Sequence, residues 1–70
     1  MKDLNVKEQM REAEKARTFW QSLSTAERYD LGDCFVLGSF DWRDWLPSKP
    51  SQAFLNEVDY QRILWEQLQG

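Results

Sequence analysis

Histidine is absent from the 70-residue sequence, cysteine occurs once, proline twice and glycine three times. Each scarcity removes a class of chemistry. Without histidine the usual general base is missing, and a Cys–His nucleophile pair cannot be built. One thiol without histidine cannot make a zinc site, and a lone Cys34 cannot close an intrachain disulfide. Cys34 stands between Asp33 and Phe35, poor surroundings for a nucleophile, and reads as a small buried hydrophobe. A single cysteine suits a reducing compartment. Gly32 and Gly38 are isolated, so no glycine-rich phosphate loop exists and both read as helix punctuation. The longest apolar run, Cys34-Phe35-Val36-Leu37, is far short of the ~20 residues that span a bilayer. The opening Met1-Lys2-Asp3-Leu4-Asn5 leads into a charged stretch with no apolar core of a secretory signal. The expectation is a cytoplasmic protein without a membrane-embedded part, without a cofactor or metal, and without catalytic activity.

What is present is an unusual density of rings: four Trp, four Phe and two Tyr. Each large ring can bury roughly 150–250 Å². A chain of this length buries only about 60% of its unfolded surface, so a lone monomer is marginal. With disulfide and metal unavailable, the remaining ways to stabilise the domain are a dense aromatic core and a second copy of the chain.

The net charge is −3, from 12 acids and 9 bases, and it is unevenly spread. Glu27, Asp30, Asp33, Asp41 and Asp44 face only Arg28 and Arg43 in the middle of the chain, while the first 26 residues are close to neutral. Direct nucleic-acid binding needs a basic face that displaces counterions, and an anionic membrane needs the same, so both are disfavoured.

Along the chain, Val6, Met10, Ala13, Ala16, Phe19, Trp20 and Leu23 recur at three- and four-residue steps, predicting a long helix from Asp3 to about Ser22. Asp3–Lys7, Glu8–Arg11, Glu12–Lys15 and Glu14–Arg17 place acids ahead of bases at helical spacing. Ser24-Thr25-Ala26-Glu27 is a capping box that starts a second helix at Thr25. That helix is expected to continue through Leu37, because a lone strand at Cys34–Leu37 has nothing to pair with, and to end on Gly38. Ser39–Leu46 reads as a short capped helix stopped by Pro47. Ser48 or Ser51 caps a last helix over Gln52–Gln69. Its apolar residues, Phe54, Leu55, Val58, Tyr60, Ile63, Leu64, Trp65 and Leu68, cover more of the circumference than the ~100° arc that one core needs. The fold class is therefore all-α: one small domain over residues 1–70, with a long N-terminal helix, two short middle helices and a C-terminal helix, expected as a dimer. The expected seam combines Met10 and Ala13, from the thin first half of the leading helix, with Phe54, Val58, Trp65 and Leu68.

The pairs Asp30/Asp33 and Asp41/Asp44 sit at i,i+3, but four short helices cannot build the substrate cleft that carboxylate catalysis needs. Phe40-Asp41-Trp42-Arg43-Asp44-Trp45 interleaves rings with acids. On a helix, Trp42 and Trp45 share one strip and Asp41 and Asp44 the next, and interface hot spots are rich in Trp. Asp30, Asp33, Asp41, Trp42, Asp44 and Trp45 are the candidate contacts with another protein whose surface is basic. In format, being short, acidic, Trp-rich and free of cofactor motifs, the chain resembles phage-encoded proteins that disable host machinery, such as anti-CRISPR proteins, anti-activators of transcription and polymerase inhibitors. That resemblance implies an antagonist that docks on a basic, nucleic-acid-binding site of its target. Two alternatives stand beside it. One is a helix-turn-helix module, for which Arg11, Lys15 and Arg17 are the only support. The other is a structural subunit of a larger assembly.

Overall fold

The computed structural model describes residues 5–69; Asp3, and with it the expected Asp3–Lys7 pair, lies outside them. Three α-helices and one 3₁₀ turn make up the described residues: α1 (Val6–Ser22), α2 (Thr25–Leu37), the 3₁₀ turn (Trp42–Asp44) and α3 (Gln52–Gln69). No strand occurs among them.

Each boundary has a local cause. Asn5 caps α1, its side-chain oxygen accepting from the Glu8 amide at 2.9 Å, which supplies one of the orphan donors of a helix start. Leu23 and Ser24 are extended and end α1. Ser24 then completes the capping box: the Glu27 amide donates to its hydroxyl at 3.2 Å and its own amide donates to the Glu27 carboxylate at 2.8 Å. α2 stops where Gly38 turns left-handed at φ 71°. The Gly38 amide donates to the Phe35 carbonyl and the Ser39 amide to the Cys34 carbonyl, the double closure of a Schellman motif. Ser51 caps α3, accepting from the Phe54 amide at 3.2 Å. The Ser51 hydroxyl also donates to Glu12 of α1 at 2.7 Å, so this cap joins the two longest helices.

The expected short helix over Ser39–Leu46 shrinks to the single 3₁₀ turn. Asp41, not Ser39, caps it by accepting from the Arg43 amide at 3.0 Å. Phe40 is held away from any helix by stacking on Phe35, with ring centroids 4.7 Å apart.

Contacts between helices fix the topology. Glu12 meets Ser51, Arg17 meets Glu57 and Trp20 meets Trp65, so α1 and α3 run in the same sense. Tyr29 meets Trp65, and Gly32 lies against Arg62, so α2 runs back between them in sense. The core is small: Ala16, Trp20, Leu31, Phe54 and Val58 are buried, ringed by half-buried Phe19, Leu23, Phe35, Phe40, Trp45, Leu46, Leu55 and Trp65. Phe54 and Val58 thus correct the expected dimer seam. At 7% and 1% exposed they belong to the chain's own core, because the two-sided apolar arc of α3 turns this side toward α1 and α2.

Candidate docking surface

The nine large hydrophobic side chains exposed among the described residues outnumber the four buried ones, Trp20, Leu31, Phe54 and Val58. Three of the nine lie on α2. Tyr29, Val36 and Leu37 are 51%, 68% and 78% exposed, and Asp30 and Asp33 are exposed beside them. At 3.6 residues per turn these five side chains fall within an arc of about 120°. The opposite side of α2 holds Leu31 and Gly32 buried and Phe35 half-buried.

The only base of α2 is turned inward. The Arg28 guanidinium lies 5.3 Å from the Trp20 ring centroid and 5.8 Å from that of Trp65. Its Nε donates to the Trp20 carbonyl at 3.3 Å, capping a C-terminal carbonyl of α1 as cations do. The Trp20 and Trp65 rings meet edge to face at 5.9 Å, and Tyr29 packs on Trp65 at 4.8 Å. The solvent side of α2 is consequently left with carboxylates and no compensating base. α2 also carries no base in its last turn, where the helix dipole is negative and a cation is worth roughly 0.3–1 kcal/mol.

The Phe35–Phe40 stack draws the following segment back toward the end of α2. Asp41 is half-buried and Asp44 exposed. Arg43 pairs with Asp41 at 3.4 Å and lies over the half-buried Trp42 at 5.5 Å. The two tryptophans of this segment therefore part company. Trp45 packs against the core, whereas Trp42 stands outside it under Arg43. Of the six expected contact residues, Asp30 and Asp33 share the α2 face, and Asp41, Trp42 and Asp44 follow it along the chain. Tyr29, Val36 and Leu37 were not among the expected contacts; a 3.6-residue wheel through Leu31 and Phe35 would have placed them opposite the core.

The expected seam residues also separate. Met10 and Leu68 are exposed at 65% and 84%, Ala13 is half-buried, and Trp65 is half-buried in the ring cluster around Arg28. Two of the three bases that favour a helix-turn-helix reading are engaged by carboxylates: Lys15 with Glu12 at 3.2 Å, and Arg17 with Glu57 at 3.6 Å. Cys34 is half-buried, and no group of three acids or thiols among the described residues could hold a metal ion. No described helix is long and apolar enough to cross a membrane.

Comparison with models of protein families, with curated proteins and with solved structures finds no match for this chain.

Proposed function

We propose that this chain is a non-catalytic protein-binding module that lays the solvent face of α2, with the Asp41–Asp44 segment behind it, onto a basic and partly apolar site of another protein. The observation that carries the reading is the division of α2: Tyr29, Val36 and Leu37 stand exposed among Asp30 and Asp33 while Arg28 is withdrawn against two tryptophans. Apolar anchors supply affinity, and the surrounding carboxylates steer the encounter and set its register. A basic site that accepts such a face is one that otherwise accepts an anionic ligand. Occupying it makes the chain an inhibitor, in keeping with the antagonist format of the sequence.

The test is affinity capture from a lysate of the cells that express the protein, with wild-type and substituted chains side by side. The wild type retains a partner with a basic site at near-stoichiometric yield. Leu37→Ala weakens retention about tenfold, and Asp30→Lys combined with Asp33→Lys abolishes it, as expected for hot-spot and steering residues worth upward of ~1 kcal/mol each. Equal retention by all three chains contradicts the proposal.

A further inference from the structure

We infer that the site receiving α2 is a helix-binding groove on a protein, apolar along its walls with one basic side chain opposite Asp33, and not a surface that binds nucleic acid. The inference rests on the docking of α2 proposed above and names the chemistry that receives it. Each residue of a helix advances about 100° around the axis. Around α2 that sets Asp33 on the midline of the solvent face, with Tyr29 and Val36 on one side and Asp30 and Leu37 on the other. All five are exposed, and the exposed Ala26 stands two turns before Asp33 on the same line. Tyr29 and Val36 are at i and i+7 with Leu37 next to them, the repeat by which an amphipathic helix seats in a groove.

Charge density separates the two classes of partner. Duplex DNA carries one negative charge per ~1.7 Å of axis, counting both strands. The face from Ala26 to Leu37 is ~18 Å long, so a stand-in for a duplex needs about ten charges along it and a stand-in for one strand about five. This face has Asp30 and Asp33 alone. Glu27, the other acid of α2, is engaged by the Ser24 amide at 2.8 Å, and Asp41 behind the face pairs with Arg43 at 3.4 Å. Apolar groups fill the remainder. A hydrated, strongly cationic nucleic-acid site offers nothing to Tyr29, Val36 and Leu37, whereas an apolar groove removes them from water. The same groove encloses Asp33 between them. A carboxylate taken out of water weakens binding unless a cation meets it. Among the described residues no base pairs with Asp33, and Arg28 is turned to the far side of α2. The cation therefore comes from the partner, and a guanidinium, which engages both carboxylate oxygens, fits best. Asp30 lies at the edge of the arc and stays hydrated.

Titration calorimetry of the full chain against the partner it captures tests this, with substitutions at exposed positions and with nucleic acid as competitor. Asp33→Asn keeps the shape, removes the charge and leaves a buried cation unpaired, so binding weakens about thirtyfold or more. Asp30→Asn, at the hydrated edge, weakens it at most about fivefold. Leu37→Ala weakens it about tenfold. Mixed-sequence DNA duplex and mixed-sequence RNA strand, each in excess, leave the complex intact. Displacement by either nucleic acid, or equal losses from Asp33→Asn and Asp30→Asn, overturns the inference while the docking of α2 survives. A chain that retains no partner, or whose binding ignores every substitution on α2, overturns both.

Discussion

The Arg28 guanidinium lies against both Trp20 and Trp65, 5.3 Å from one ring centroid and 5.8 Å from the other, at the side of their edge-to-face contact. This relationship does two things at once. It joins the ends of α1 and α3 to the first turns of α2, and it removes the only positive charge of α2 from the solvent face. Arg28→Ala is expected to lower stability by about 1–2 kcal/mol, the combined worth of partly desolvated cation–π contacts and a carbonyl hydrogen bond. Arg28→Lys recovers only part of it, since a compact ammonium has no planar face to lay on a ring while bonding the Trp20 carbonyl. Urea unfolding followed by tryptophan fluorescence reads both; an Arg28→Ala chain as stable as wild type contradicts this role.

Gly32 is buried in α2 because Arg62 passes across it. A Cβ at this position lies 3.3 Å from Arg62 Cδ, and Arg62 is pinned by Asp59 at 2.8 Å and by Glu66. Burial works against the Arg62 charge, but the hydrogen bonds to Asp59 and Glu66 outweigh it and raise its pKa. Alanine is intrinsically better than glycine in a helix by about 1 kcal/mol. Gly32→Ala is therefore expected to gain that amount in an Arg62→Ala background and under half of it in the wild type. A double-mutant cycle measures the difference, about 0.5 kcal/mol or more; identical gains in both backgrounds mean that Arg62 does not constrain the site.

Gly38 is the one residue with positive φ among those described, at 71°. Nothing lies within 4 Å of a Cβ placed there, so any penalty is conformational and not steric crowding by neighbours. Gly38→Ala should cost about 1 kcal/mol, lowering Tm by roughly 4–8 °C for a domain this size. Gly38→Asn should cost less, since Asn tolerates the left-handed region. Thermal unfolding of the two variants checks the order.

Acid should loosen the junction of α1 with α3. The Ser51 hydroxyl, then the Lys15 ammonium, hold Glu12 below its ordinary pKa of 4.5, and the Ser24 amide and hydroxyl do the same for Glu27. A carboxylate whose pKa is depressed on folding adds stability that is fully present above its unfolded value and disappears as pH falls through the folded value. Stability is thus expected to fall below about pH 4.5. Ser51→Ala removes the largest influence on Glu12, so the Glu12 titration followed by NMR moves up toward 4.5. It also deletes the cap of α3, at a cost of about 1 kcal/mol. An unmoved Glu12 titration contradicts the Ser51–Glu12 bond.

Much of the fold was legible in single residues. The Ser24–Glu27 box and the Gly38 stop act through backbone groups within a few positions and stand where the sequence places them, and of the two serines that could cap the last helix, Ser48 and Ser51, it is Ser51 that does so. The segment Ser39–Leu46 was not legible, because Phe40 is captured by Phe35, a tertiary contact that overrides local helix pattern. The wide apolar arc of α3 announced two packing sides without saying which was which. Only the docking of α1 and α2 sends Phe54 and Val58 inward and leaves Tyr60, Leu64 and Leu68 out. The acids of the middle segment could be counted in advance. The withdrawal of Arg28, which leaves α2 without a base on its solvent face, needs the positions of Trp20 and Trp65.

The central claim is that α2 docks with its solvent face. Hydrogen–deuterium exchange of the chain, free and bound to the partner it captures, tests this most directly. Slowed exchange on binding across residues 25–37 and 41–45, with α1 and α3 little changed, is the predicted result. Protection confined to α1 and α3, with α2 exchanging as in the free chain, would contradict the account.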